Sequence, residues 1–89
     1  MNRTEFEAEL VREGYEVREG EIGPHVHRDG HTHEFDARVL VLDGSITLVF
    51  DTDRVTYGPG DSCSVPAGTM HAEHTDAAGV RYVFGTRAK

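Results

Sequence analysis

A single cysteine, Cys63, excludes an internal disulfide, so no covalent staple holds this chain of 89 residues. Basic residues are scarce: 9 Lys+Arg stand against 16 Asp+Glu, for a net charge of -7. That balance repels phosphate backbones and anionic headgroups, which argues against nucleic acid and membrane surfaces as partners. Long apolar runs are missing too. The longest, Val39 to Leu42, is far short of the ~20 residues of a membrane span. The N-terminus carries Glu5, Glu7, Glu9 and Glu13 and lacks the basic start and apolar stretch of a secretory signal, so a soluble, cytoplasmic protein is expected. The length allows one domain. A chain this short buries only roughly 60–65% of its unfolded surface, so it depends on an economical core, a metal or a partner chain.

Helical character is confined to the start. Thr4-x-x-Glu7 predicts a capping box, Phe6, Ala8, Leu10 and Val11 an apolar stripe, and Gly14 the stop. Residues 1–14 are therefore read as an N-terminal helix packing on a β domain of residues 15–89. From Tyr15 onward turn residues recur every few positions, among them Gly23-Pro24, Asp29-Gly30, Asp43-Gly44, Asp51-Thr52-Asp53, Gly58-Pro59-Gly60 and Pro66-Ala67-Gly68. Many short strands at that spacing predict an all-β sandwich or barrel.

Between Ala37 and Phe50, two β-rich runs flank Asp43-Gly44, a dipeptide suited to a two-residue type I′ hairpin turn. That turn would place Val41/Ile46, Val39/Leu48 and Ala37/Phe50 on one wholly apolar face, the expected barrel interior. Leu40, Leu42 and Val49 fall on the other face, which needs a cover: the N-terminal helix or a second subunit.

Four of the six histidines lie in His25-Val26-His27-Arg28-Asp29-Gly30-His31-Thr32-His33, and His71 and His74 follow. One His-x-His pair is weak evidence, since chance supplies roughly 0.4 such pairs in a chain this rich in histidine. Strand context strengthens it. Residues two apart on a strand point the same way, so their imidazoles can converge on one ion. An uninterrupted strand would aim His31 and His33 at the interior with Ala37, Val39 and Val41. There they are either buried neutral histidines satisfied by backbone and water, or metal ligands. His25 and His27, beside a Gly-Pro turn, read as solvated loop histidines or a loose surface site.

The run Gly60-Asp61-Ser62-Cys63-Ser64-Val65-Pro66-Ala67-Gly68-Thr69-Met70-His71 resembles the second motif of the cupins, with Thr75 where that motif closes on Asn. His31-x-His33 and Gly44 resemble the first motif, although Ala37 stands where its glutamate is expected and His25 where its leading glycine is expected. The resemblance covers about residues 15–86. It implies a single cupin-type antiparallel β-barrel (double-stranded β-helix, or jelly roll). It also implies a divalent transition metal (Zn, Fe, Mn, Ni or Cu) held by His31, His33 and His71. Asp36 or Glu34 could replace the missing glutamate only across a bulge. His74 and Glu73 are expected at the rim or on the outer face. Cys63 reads as an inert buried residue or as a thiol near the metal.

Three functions are compatible with this reading. The first is a metal-dependent enzyme (oxygenase, isomerase or lyase type) acting on a small organic substrate. The second is a non-catalytic, sugar-like ligand-binding or sensing module with a structural metal or none, and the third is metal buffering by residues 25–33. No dedicated general base is identifiable. A homodimer is expected from the apolar character of both faces of the Val39 to Leu42 strand.

Overall fold

The computed structural model describes residues 1–88. Helix α1 (Arg3–Arg12) opens the chain, and six strands follow: β1 (Glu16–Ile22), β2 (His27–His31), β3 (Phe35–Phe50), β4 (Asp53–Tyr57), β5 (Ser62–Val65) and β6 (His71–Ala88). The helix starts earlier than its predicted box. Asn2, not Thr4, is the N-cap, its Oδ1 accepting from the Glu5 N–H at 2.9 Å. At the other end Gly14 adopts φ +83° and donates to Val11 O, while Tyr15 N–H reaches Leu10 O. This is a Schellman closure, which glycine's freedom at positive φ permits.

Of the predicted stripe only Phe6 and Leu10 are buried, one helical turn apart; Ala8 and Val11 face solvent. Phe6 and Leu10 pack on Leu40 and Val83, with Leu42, Tyr15 and Val17 at the margin. Each such side chain stabilises by about 1.5–3 kcal/mol. The helix is thus the cover that Leu40 and Leu42 required. Gly85 lies directly beneath Leu10, where a Cβ would stand 2.9 Å from both Leu10 methyls. Arg38, on the same outer face, pairs with Glu9 at 3.1 Å and Glu13 at 3.3 Å.

The predicted hairpin at Asp43-Gly44 does not form. β3 runs straight through it, and β3 and β6 pair antiparallel along their length, from Phe35↔Ala88 to Val49↔Ala72. Bulges flank the dipeptide, between Val41/Asp43 and between Gly44/Ile46. Gly44 (φ +73°) lies against Gly79 (φ +65°), so close that a Cβ on Gly44 would fall 2.1 Å from Gly79 O. Asp43-Gly44 is therefore a corner where two long strands bend together. The two-residue reversal comes later, at Asp51-Thr52, after which Asp53 pairs with Phe50.

Bending at this corner divides the sheet into two halves. One contains β1, the second half of β6, the first half of β3 and β5; the other contains β2, the first half of β6, the second half of β3 and β4. Ile22, Val41, Ile46, Leu48, Val65 and Val80 form the core between them, with Ala37 and Phe50 packed against it. The inward set expected from a hairpin register is the observed one, because the bulges shift the strand's phase as a turn would have done. Among the described residues no helix is long and apolar enough to cross a membrane.

Candidate metal centre

His31 and His71 sit opposite each other as partners in the β2–β6 ladder. His33 is not on the uninterrupted strand that the sequence suggested, because β2 ends at His31 and β3 begins at Phe35. A tertiary contact positions it instead. The His33 carbonyl accepts from Gly68 N–H at 2.9 Å, inside the Pro66-Ala67-Gly68 turn that closes through Thr69 N–H to Pro66 O. That turn is fastened to β3 as well, because Asp36 Oδ1 accepts from Ala67 N–H at 2.9 Å. Asp36 also lies 3.6 Å from Arg87, so its carboxylate braces the loop and is not turned toward the histidines. Glu34 is exposed. Neither carboxylate takes the place left by Ala37, which lines the cavity as a methyl group.

The three imidazoles converge. One ring nitrogen from each of His31, His33 and His71 lies within 4.8 Å of the others, and His71 is buried at 4% exposure. His31 Nδ1 lies 2.9 Å from Asp29 O and His71 Nδ1 lies 3.1 Å from Thr69 O. A carbonyl can only accept, so each Nδ1 carries a proton, and in the neutral ring Nε2 then presents its lone pair, the tautomer that a metal requires. His33 stacks on Phe35, with centroids 4.7 Å apart and planes 14° apart. Burial, then the proximity of His31 and His71, holds the His33 pKa below the ordinary imidazole value. Lone pairs crowded together with few donors near them form a site shaped for a cation, and the donor set fits Zn, Fe, Ni or Cu.

The histidines open onto a cavity of about 200 Å³ whose lining also includes Arg28, Cys63, Glu73, Tyr82 and Phe84. Glu73 corrects an expectation: it points inward, 3.5 Å from His31 Nε2 and 3.6 Å from Arg28, with its side chain 15% exposed. Strand period could have revealed it, since Glu73 lies two residues beyond His71. Arg28 was not foreseeable, because the register shift between Arg28 and His31 brings both inward from positions of opposite phase. Cys63 lines the cavity, and burial pushes its thiol up to about 11, so it stays protonated near neutral pH.

The other histidines lie elsewhere. His27 belongs to β2, not to a loop, and packs against His74 on the outer face with ring centroids 4.4 Å apart. His25, at φ 54°, is exposed and donates its backbone N–H to Asp76 O.

A family model described as "Cupin domain" matches residues 11–83. Over 62 residues the chain is 40% identical to the quercetin 2,3-dioxygenase of Bacillus subtilis (strain 168), a stretch that is 70% of this chain and 17% of the dioxygenase. Among solved structures, a protein of unknown function from Rhizobium leguminosarum superposes with a TM-score of 0.78 at 23% identity, over 84% of this chain and 71% of that one. The polyketide cyclase RemF from Streptomyces resistomycificus superposes with a TM-score of 0.68 at 25% identity, over 85% of this chain and 57% of the cyclase.

Proposed function

The chain belongs to the cupin family, and from that premise we propose that it holds a divalent transition metal through His31, His33 and His71 and acts as a metal-dependent enzyme on a small organic substrate. The observation that carries this reading is the convergence of three imidazoles, two of them held at Nδ1 by backbone carbonyls, which leaves Nε2 for the ion. When bound, the ion would supply Lewis acidity or redox chemistry at the positions three protein ligands leave open.

The chain's own residues supply the rest of the site. Phe35, Val39, Leu48, Tyr82 and Phe84 make an apolar wall that excludes water, and Arg28 sets a positive charge at the cavity for an anionic or hydroxylated substituent. A cavity of about 200 Å³ is smaller than the ~300–1,000 Å³ of drug-sized ligand sites, so the substrate is compact or inserts only its reacting end. Similarity to a quercetin 2,3-dioxygenase supports the oxygenase type over the isomerase or lyase type.

The test is oxygen uptake by the protein loaded in turn with Fe, Mn, Ni, Cu and Zn, in the presence of small hydroxylated aromatics and acids. Uptake that requires the metal and disappears in His33→Ala and His71→Ala supports the proposal, while His25→Ala should retain both metal and uptake. Ligand binding with no turnover under any metal would instead favour the non-catalytic binding module.

A further inference from the structure

We propose that Glu73 is the carboxylate ligand of the metal centre, supplied by β6 to a site whose β3 position is the methyl group of Ala37. Resting on the three-histidine reading above, the proposal adds a ligand from a different strand. Among the described residues lining the cavity, Glu73 is the only carboxylate. It follows His71 by two residues on β6, and both line the cavity, as the strand period leads one to expect, whereas Ala72 and His74 do not.

Glu73 is held close without being satisfied. Its contacts, 3.5 Å to His31 Nε2 and 3.6 Å to Arg28, both exceed the ~2.7–2.9 Å of a charge-assisted hydrogen bond. With the His31 Nδ1 proton committed to Asp29 O, its Nε2 meets Glu73 with a lone pair. Two acceptors facing each other repel unless a proton or a metal ion lies between them, and at the metal centre the ion takes that place. Donors about 2.1 Å from one ion stand about 3.0 Å apart at right angles and about 3.4 Å apart at tetrahedral angles, so a small side-chain adjustment from the 3.5 Å found here would let both ligate one ion. An oxygen donor among three nitrogens would also move the site's preference toward harder ions such as Mn and Fe.

The experiment is a Co²⁺ titration of the full chain by visible absorption, repeated as a competition with Mn²⁺, on the wild type, Glu73→Gln, Arg28→Ala and His71→Ala. Glu73→Gln is expected to weaken Co²⁺ binding about tenfold or more, change the ligand-field bands, and lose more affinity for Mn²⁺ than for Co²⁺. Arg28→Ala should leave the bands unchanged, which a role for Glu73 limited to pairing with Arg28 would not produce. Glu73→Asp, which withdraws the carboxylate by one methylene, should bind with intermediate affinity and serves also if the glutamine variant does not fold. Wild-type affinity and bands in Glu73→Gln or Glu73→Asp, with binding lost in His71→Ala, would overturn the Glu73 ligand and leave the three histidines standing. No Co²⁺ binding by the wild type, or undiminished binding by His71→Ala, would remove the three-histidine site and Glu73 with it.

Discussion

At His33 the physical chemistry of the site reduces to one imidazole. Its pKa is lowered first by burial, then by His31 and His71, with Glu73 pulling the other way. The sign for stability follows from proton counting. Below the ordinary value of 6.5 the unfolded chain takes up a proton that folded His33 resists, so the contribution to stability is complete above 6.5 and is lost as pH falls through the lowered folded value. Denaturation of the metal-free protein between pH 5 and 7.5 should therefore show stability rising with pH, and His33→Gln should flatten that rise. An unchanged slope in the variant would assign the dependence to other groups. Metal affinity should fall in the same direction, because protons compete for the ligating nitrogens.

Among the elements, the corner shared by β3 and β6 makes the barrel possible. Gly44 and Gly79 let two strands of 16 and 18 residues bend together and serve both halves of the sheet. A side chain on Gly44 would meet both an unfavourable φ of +73° and the carbonyl of Gly79. Gly60 offers the control, since its φ is +88° but nothing lies within 4 Å of the position a Cβ would take. Gly60→Ala is expected to cost about 1–2 kcal/mol from conformation alone. Gly44→Ala should cost about 3 kcal/mol or more, lowering Tm by more than about 10 °C in thermal denaturation. Equal losses in the two variants would mean that the close approach at the corner contributes nothing.

For the whole molecule, the outer surface is unevenly covered. Helix α1 lies over the first half of the sheet, where Leu40 and Leu42 needed burial. Among the described residues no helix overlies the second half, whose positions on β3 and β6 include the half-buried Val49, Ala72 and His74. The expected homodimer would use that face, since the helix already occupies the other. Sedimentation equilibrium at micromolar concentration should return twice the mass of one chain, and Val49→Glu should shift it toward the monomer. A single-chain mass for the wild type would overturn the expectation.

Much of this architecture was present in local pattern. Turn residues at short intervals and the period of two announced an all-β barrel, and Gly14 marked the helix end. The Pro66-Ala67-Gly68 turn before His71 and the His31-x-His33 pair marked the three histidines that the structure brings together. These features lie within a few residues of one another, where backbone sterics and side-chain alternation act directly. Asp43-Gly44 misled because the same dipeptide serves a hairpin or a bulged corner, and the choice rests with Gly79, 35 residues away along the chain. Asp36 could be read as a ligand until Ala67 appeared as its partner. Arg28 faces the cavity only because β2 slips against β6, and Glu73 meets His31 only through that same pairing. Strand phase across a bulge is set by the partner strand's hydrogen bonds, so it is decided only when the barrel closes.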